Sequence, residues 1–406
     1  MSSQVTATER LPQAARPQAG PPRVGLIGVS GYGRIHLQMA TELQALGRLA
    51  ITAAVVINPE EEAVVVKQLR DHGCRIYGSY EAMFRTEAGA LDLCLIPTGI
   101  PWHTRMTIAA LRAGTHVLVE KPLAGSLAEV EAIRAEERAS GRVVAVGFQD
   151  IYPEETAWLK SEILAGAIGE LRAIRVFGLW PRPASYFTRN GWAGRLVVDG
   201  VPVLDSPLNN AFAHFVNLAL FLAGPELGVS SRAGAVEADL YRAHAIESFD
   251  TVTARARTAA GVLLWFGFSH SCRNQHDPVV EIEGSQGSAR WRYEVDCSLT
   301  ADAEEPRLRR LPDAQDSRRA MFSKVLRRLA GDPVLIGDTA QAACHTALIE
   351  AVHAAAPIRQ ISPDCIERYA PVEGASPIPV VCGLEDALRR AAASGRLLRE
   401  VDFPAT

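Results

Sequence analysis

This chain of 406 residues has little of several features that are typical of other classes of protein. The formal net charge is only −4 at pH 7, so the basic excess typical of nucleic-acid or anionic-membrane binding is absent. No apolar run is long enough to span a bilayer, because His214 and Asn217 interrupt the longest one, residues 212–223. The seven cysteines form no CxxC pair, which fits free thiols in a reducing cytoplasm.

The chain length and the changes of residue composition and hydrophobic pattern along it predict two domains, preceded by an N-terminal tail. The first twenty residues contain no apolar segment of the secretory type, and we predict a disordered tail over residues 1–21. Residues 22–148 alternate short Val-, Ile- and Leu-rich strands with helical patterns, which predicts a doubly wound parallel α/β sheet. Residues 149–406 combine an apolar helix over 207–222 with successive strands joined by glycine turns, which indicates an α/β domain with an antiparallel sheet.

A glycine-rich turn follows the first predicted strand. Gly28, Ser30 and Gly33 occupy the three small-residue positions of a G-x-G-x-x-G turn, with Gly31 and Tyr32 between them. Such a turn lets a dinucleotide pyrophosphate approach the backbone and rest on the N-terminus of the next helix. An ordinary strand–helix turn is the alternative, but the place of this turn after the first strand of a βαβ unit favours a cofactor site.

The end of the second strand carries information about the cofactor. Asn58 stands where an acidic residue commonly binds the ribose of NAD, and its amide can still hydrogen-bond a ribose hydroxyl. No arginine follows closely, and the three glutamates of residues 60–62 would repel a 2′-phosphate. The sequence therefore predicts NAD as the cofactor, with NADP as the alternative.

A lysine follows the strand predicted over residues 117–119. Lys121 lies between Glu120 and Pro122, at the sheet edge where open α/β sheets bind ligands. Its ammonium group can hydrogen-bond a substrate hydroxyl and help to remove the proton, once burial lowers its pKa. A solvated surface lysine is the simpler alternative for such a residue taken alone.

The apolar helix predicted over residues 207–222 carries a polar stripe. We place its N-cap at Ser206, and Asn210, His214 and Asn217 then follow at i, i+4 and i+7 on one face. A hydrogen-bonded core network is one explanation, because buried polar groups need partners. Three polar groups aligned on one face of an otherwise apolar helix are better explained as one wall of a polar pocket, where His214 can relay a proton.

Residues 109–123 read AALRAGTHVLVEKPL. This segment resembles the most specific sequence block of the Gfo/Idh/MocA family of oxidoreductases. The runs 141–149 and 166–170 also match, and the resemblance extends over about residues 23–355. It implies a Rossmann domain followed by an α/β domain with an open, mainly antiparallel sheet. In this family that sheet commonly mediates oligomers, so the resemblance implies a homodimer or homotetramer.

The resemblance also implies roles for individual residues. Lys121 matches a lysine that contacts substrate and nicotinamide, and His214 matches the histidine of a D-x-x-x-H-x-x-D pattern. Both aspartates of that pattern are asparagines here, Asn210 and Asn217, so acid–base chemistry would fall on Lys121 and His214 while Asn210 positions the hydroxyl. The further cofactor contacts that the matched motifs imply are Pro97, Thr98, His103, Glu120 and Gln149.

Aromatic and polar residues of the second half supply candidates for substrate binding. Aromatic rings stack on the apolar faces of sugars, although core or interface packing explains each ring equally well. The candidates are Tyr152, Trp180, Asn190, Trp192, Arg195 and Asn217, with Trp102, Arg182 and Tyr186 as further contacts. His270, Cys272, His276 and Asp277 have the irregular spacing of a strand-end turn, so we expect no metal site.

Together these features predict an NAD(P)-dependent dehydrogenase that oxidises a secondary alcohol of a sugar, cyclitol or glycoside. One alternative is a glycosidase or lyase in which tightly held NAD is transiently reduced and then recycled. Another is a cofactor-binding regulator without catalysis, which the two asparagines favour and the intact Lys121 and His214 oppose. For the leading prediction we expect a cytoplasmic protein with a small polyol or glycoside partner, and neither nucleic acid nor membrane.

Overall fold

The computed structural model describes residues 20–302, 305–372 and 374–403. The predicted tail over residues 1–21 therefore lies outside the described residues, except for its last two positions. No helix in the described ranges is both long and apolar enough to cross a membrane.

The first half folds around a six-stranded sheet in which every adjacent pair is parallel, with strand order β3-β2-β1-β4-β5-β6. The fully buried strand interiors explain the continuous apolar runs of the sequence. Its elements are β1 Arg23–Ile27, α1 Gly33–Ala45, β2 Ala50–Val55, α2 Ala63–Asp71, β3 Arg75–Tyr77, α3 Tyr80–Thr86, β4 Leu93–Ile96, α4 Ile100–Arg112, β5 His116–Val119, α5 Leu127–Ser140 and β6 Val144–Val146.

The second half contains a nine-stranded sheet with strand order β16-β15-β14-β13-β7-β12-β11-β10-β17. It is antiparallel except for the β7–β12 and β10–β17 pairs, which confirms the predicted α/β class with a mainly antiparallel sheet. Its elements are α6 Glu154–Leu164, β7 Leu171–Leu179, α7 Ala184–Phe187, β8 Val197–Val198, β9 Val201–Pro202, α8 Ala213–Leu222, β10 Ala233–Arg242, β11 Thr251–Thr258, β12 Leu263–Ser269, β13 His276–Gly284, β14 Gly287–Arg292, β15 Asp296–Ala301, β16 Arg307–Arg310, α9 Ala314–Leu329, α10 Thr339–Ala355, β17 Ile358–Gln360, β18 Ile366–Tyr369, β19 Ile378–Val381 and α11 Leu384–Ser394.

The helix predicted over residues 207–222 begins six residues late, at Ala213. The preceding segment forms turns, in which the Asn209 side chain donates to the carbonyl of Val203 at 3.0 Å. The Phe212 amide donates five residues back, to the carbonyl of Pro207 at 2.8 Å. Because these bonds replace the regular i to i−4 ladder, Asn210 lies in a turn before the helix and Ser206 is not its N-cap.

After β16, the next helix α9 begins at Ala314. The Asp313 carboxylate accepts the Asp316 amide at 2.8 Å and caps this helix at its N-terminus. The helix packs back toward the first domain, where Arg319 pairs with Glu42 of α1 at 3.1 Å. It also places Arg318 beside the glycine-rich turn, with its Nε 3.3 Å from the Tyr32 hydroxyl.

The C-terminal segment covers part of the outer face of the large sheet. Leu384 and Leu388 of α11, together with Leu398, form a second buried cluster with Leu179 and Tyr241 of the sheet. The Trp265 indole, fully buried on β12, donates to the Arg396 carbonyl at 2.8 Å. On this face the chain thus supplies a layer of its own over a sheet predicted to be open.

Candidate active site

The glycine-rich turn has the shape that a dinucleotide requires. Gly28 has φ = +90°, and a Cβ on Gly33 would lie 2.5 Å from the Gly28 carbonyl oxygen, so both positions need glycine. Helix α1 has no side-chain cap and no acidic residue in its first turn. The Gly33, Arg34 and Ile35 amides donate to backbone carbonyls three residues back, and the positive end of the α1 dipole remains available to a pyrophosphate. On the open side, the Tyr32 hydroxyl accepts a hydrogen bond from Nε of Arg318 at 3.3 Å.

A cavity of about 410 Å³ lies beside this turn, between the carboxyl ends of β1 and β2 and the start of α4. Thr98, Asn58 and the half-exposed Trp102 contribute to its wall, and Tyr80 of α3 faces it. The Asn58 amide donates to the Glu61 carboxylate at 2.7 Å. The cavity has the place and size for the adenosine half of a dinucleotide, so the residues present fit an NAD cofactor.

Lys121 extends from the end of β5 toward the second domain. Its Nζ donates to the Asn210 carbonyl at 2.7 Å and lies 3.4 Å from Oδ1 of the same residue. Burial lowers the pKa of Lys121, although the carboxylates of Glu120 and Asp205 oppose this effect. An ammonium group held between the two domains with a lowered pKa is suited to proton exchange with a bound hydroxyl.

The Glu120 carboxylate is directed into the first domain, where it contacts His36 and the Lys121 backbone. It lies 2.8 Å from Nε2 of His36 and accepts the Lys121 backbone amide at 3.1 Å. Although burial by itself raises the pKa of Glu120, the contact with His36 holds it below its ordinary value. A Cβ on Gly147 would come within 2.9 Å of the same carboxylate, so the neighbouring strand end must be glycine.

Asn210 is oriented by an aspartate. Its Nδ2 donates to Asp205 at 2.9 Å, which leaves Oδ1 turned toward Lys121. Asp205 also accepts the Gly194 amide at 2.6 Å. Burial raises the pKa of this carboxyl, and the hydrogen bonds from Gly194 and Asn210 oppose the rise. The D-x-x-x-H-x-x-D pattern has an aspartate where this chain has Asn210. Here the Asp205 carboxylate lies directly behind the Asn210 amide, on the side away from Lys121.

His214, in the first turn of α8, lies in the same crevice. Burial and the positive charges of Lys121 and Arg318 hold its pKa well below the ordinary value, so the ring is neutral near pH 7. The ring packs edge-on against Phe148. Its Nδ1 is buried without a hydrogen-bond partner and lies 3.9 Å from the Asp150 carboxylate. Lys121, Asn210 and His214 are thus brought together, as their positions in the sequence predict.

Two predicted cofactor contacts are enclosed in the protein instead. His103 is buried, with Nδ1 2.8 Å from the Pro122 carbonyl and Nε2 3.0 Å from the Thr98 carbonyl, so it ties the loop after β4 to the turn after Lys121. Gln149 is also buried, in the short 3₁₀ helix after β6. Pro97 is buried beside Gly33, whereas Ser30 and Gly31 are exposed at the turn.

Tyr152 and Asn217 do not line a pocket. The Tyr152 hydroxyl donates to the Val146 carbonyl at 3.1 Å and accepts the Gly337 amide at 2.9 Å in the core. Asn217 is fully buried, and neither of its amide atoms has a partner among the described residues. Because α8 runs away from the crevice into the core, the turn after His214 already lies inside the protein.

The remaining candidates lie around the irregular stretch after β7. Trp192 packs over the loop after β4, where a Cβ on Gly99 would lie 2.6 Å from its indole nitrogen. Trp180 stacks on Phe212 at 4.7 Å between ring centroids. Asn190 uses its side-chain oxygen to accept the backbone amides of the next turn, and Arg195 pairs with Glu247 at 2.6 Å. Trp192 therefore lies against the loop that carries Thr98, whereas Asn190 and Arg195 have structural partners.

Several residues of the crevice carry no signal in the sequence pattern. Asp150 and Asp205 follow strand or turn segments and belong to no recognisable motif. Arg318 lies 286 residues after Tyr32 in the sequence. His36 lies one turn into α1. Only the tertiary fold brings these side chains to the edge that holds Lys121.

The fold and this crevice define a two-domain α/β protein with a dinucleotide site facing a buried amine and a neutral imidazole. Residues 22–148 match the family model described as the oxidoreductase family with an NAD-binding Rossmann fold. Residues 156–290 match the model of the GFO/IDH/MocA C-terminal domain. The chain belongs to the Gfo/Idh/MocA oxidoreductase family.

Named relatives agree with this assignment. The chain is 34% identical over 36% of its length to an inositol 2-dehydrogenase of Pseudomonas savastanoi pv. phaseolicola. It is 30% identical over 50% of its length to a dTDP-3,4-didehydro-2,6-dideoxy-alpha-D-glucose 3-reductase of Streptomyces violaceoruber. The matches span about half the length of these relatives, 43% and 56%. The WlbA dehydrogenase of Bordetella pertussis, solved with NADH and UDP-GlcNAcA, shares the fold: the TM-score is 0.67 at 22% identity, over 82% of this chain and 96% of that one.

Proposed function

We propose that this protein is an NAD-dependent dehydrogenase that oxidises a secondary alcohol of a sugar, cyclitol or glycoside. The observation that carries the proposal is the 2.7 Å contact between Lys121 Nζ and the Asn210 carbonyl, in the turn that leads into α8 four residues before His214. It joins the strand-end amine of the first domain to the segment of the second that carries the imidazole. The names of the relatives, an inositol dehydrogenase and a sugar nucleotide reductase, support the same class of substrate.

In this proposal the chain handles the proton while bound NAD accepts the hydride. Lys121 hydrogen-bonds the substrate oxygen, and its lowered pKa makes proton exchange with that oxygen easier near neutral pH. The neutral His214 is in the protonation state that accepts a proton. Asn210, whose Nδ2 is fixed by Asp205, presents its Oδ1 beside Lys121 and limits where a hydroxyl can bind.

A panel of cyclitols, aldoses, glycosides and sugar acids, offered with NAD, tests the proposal through the rise in NADH absorbance. We expect one group of these compounds to be oxidised with saturation kinetics. If the protein binds NADH and yet oxidises no compound in either direction, the proposal is wrong. Product formed without net NADH would instead identify the glycosidase or lyase chemistry in which the cofactor is recycled.

We expect NADH to bind at least about tenfold more tightly than NADPH, a difference of roughly 1.4 kcal/mol. The expected position of the ribose, at the end of β2, is flanked by Asn58 and the Glu61 carboxylate that Asn58 contacts at 2.7 Å. The Arg34 guanidinium, which would otherwise attract a 2′-phosphate, is paired with Glu62 at 3.1 Å. Fluorescence titration with both reduced cofactors measures the ratio.

Glu61→Gln is expected to narrow this difference by improving NADPH binding, because it removes a negative charge beside the ribose site. Glu60→Gln is the matched control, since Glu60 is an exposed neighbour of like charge, whereas the Asn58 amide donates to Glu61. Tighter binding of NADPH than of NADH by the wild-type protein would contradict the prediction.

A further inference from the structure

Asp150 is a buried carboxylate at the edge of the crevice. It lies in the short 3₁₀ helix directly after β6, the strand adjacent to the one that ends at Lys121. The residue is only 4% exposed, and its Oδ2 is enclosed without a hydrogen-bond partner. A buried carboxylate oxygen that lacks a partner is costly, so its presence calls for an explanation.

The other buried aspartates of the chain show what a structural role looks like. Asp250, fully buried, accepts the Ala243 and His244 amides at 2.8 and 2.7 Å and contacts the His244 ring at 2.8 Å. Asp205 likewise accepts bonds from Gly194 and Asn210. Within the described residues the Asp150 carboxylate accepts no hydrogen bond of this kind, so maintaining the fold does not account for it.

The group that faces Asp150 is the imidazole of His214. The Nδ1 atom of His214 is also buried and unpartnered, and it lies 3.9 Å from Oδ2 of Asp150. The His214 side chain keeps 12% of its surface accessible. Of its two ring nitrogens, Nδ1 alone is both buried and unpartnered. One ring nitrogen therefore faces the carboxylate while the other is open to the crevice. Contacts of this length in ligand-free sites commonly shorten when substrate binds.

We propose that Asp150 is the positioning residue for His214: it accepts the Nδ1–H proton, so that the unprotonated Nε2 faces the substrate hydroxyl. This role rests on the proposed dehydrogenase function. During oxidation the O–H proton passes to Nε2 of His214, while the hydride from the same carbon goes to the nicotinamide and the C–O bond becomes a carbonyl. The imidazolium that forms is stabilised by the Asp150 carboxylate, which stays ionised.

The charges around the site explain why His214 needs this carboxylate. Burial and the positive charges of Lys121 and Arg318 disfavour an imidazolium at His214. Both aspartates of the helix pattern are asparagines here, so α8 itself supplies no opposing charge. Asp150 supplies that charge from the 3₁₀ helix after β6, at the ring nitrogen away from the substrate.

The ionisation of Asp150 gives the proposal a pH signature. Burial raises the pKa of Asp150 to about 7, with Arg318 and Lys121 lowering it and Glu294 raising it. Below this pH the neutral carboxyl donates to Nδ1 instead of accepting from it, which favours the Nε2–H tautomer of His214. The titratable and charged groups facing Asp150 are Lys121, Arg318, Glu294, His214, Tyr32 and Tyr293.

Nitrogen-15 NMR of histidine-labelled protein tests the pair without cofactor or turnover, with the His214 signals assigned from a His214→Gln sample. We expect the Nδ1–H tautomer of His214 to dominate at pH 8.5 and to give way to Nε2–H with a midpoint near 7. In Asp150→Leu this pH dependence is expected to vanish. A tautomer ratio that ignores both pH and the substitution would overturn the assignment.

Kinetics supply the second readout. Asp150→Asn is expected to lower kcat about 10²-fold with little change in KM, and to remove an acid limb of kcat near pH 7. Glu294→Gln is the matched control: it keeps the oxygen that accepts the Ala314 amide but removes a charge that raises the pKa of Asp150. This control should move the acid limb to lower pH and leave the plateau unchanged.

The two readouts separate this inference from the proposed function. Turnover by the wild-type protein together with unchanged kinetics in Asp150→Asn would overturn the role of Asp150 alone. The expected tautomer behaviour in a protein that oxidises no alcohol would support the Asp150–His214 pair and remove the dehydrogenase function instead.

Discussion

Lys121→Met is expected to lower kcat by about 10³-fold while the protein remains folded and still binds NADH. The substitution keeps the length of the side chain but removes the ammonium that lies 2.7 Å from the Asn210 carbonyl. Burial lowers the pKa of Lys121, so the folded protein holds this cation at a cost, and an apolar replacement should not reduce thermal stability. Initial rates with the best alcohol of the panel, together with thermal melting, measure both effects.

Lys160→Met is the matched control for this experiment. Lys160 is fully buried, its Nζ donates, like that of Lys121, to a backbone carbonyl at 2.7 Å, here that of Val229, and burial lowers its pKa to about 7. It lies at the far end of α8 beside Gly224, away from the crevice. We expect its replacement to alter the melting temperature but not kcat. A Lys121→Met protein that keeps its activity within tenfold of wild type would refute the role of Lys121.

The first domain could be predicted almost completely because its strands are buried on both faces. Continuous apolar runs mark β1, β2, β4, β5 and β6 without ambiguity. The third strand, Arg75–Tyr77, has no such run, because it is a short edge strand with partly exposed side chains. In the second domain the error over residues 207–212 came from side-chain bonds, since the asparagines there bind the preceding loop rather than continuing the helix.

The candidate site divides in a similar way. Lys121 and His214 could be predicted because each stands at a recognisable place, a strand end or the polar face of an apolar helix. Tyr152 was assigned to a pocket from its residue type and Asn217 from its place on the polar face of the predicted helix. The structure buries both. Asp150, Asp205 and Arg318 could not be found, because only the packing of α8 and α9 against the first domain brings them to the crevice.

His214→Gln is expected to lower kcat by about 10³-fold and to leave NADH binding unchanged. The reason is the protonation state of the ring: burial and nearby positive charges hold the pKa of His214 well below its ordinary value, so it is a free base throughout the neutral range. Glutamine keeps a polar side chain at the crevice but accepts no proton. Stopped-flow measurement of NADH formation separates this loss from slower product release.

His345→Gln is the control that distinguishes proton transfer from packing. Both histidine rings contact Phe148, with centroids 6.4 Å away for His214 and 5.2 Å for His345. Burial lowers the pKa of His345 to about 3, but this ring is fully buried and has no open side toward a ligand. Its replacement should therefore reduce stability more than turnover. Equal losses of kcat in the two variants would mean that Phe148 packing, and not the imidazole at the crevice, limits the reaction.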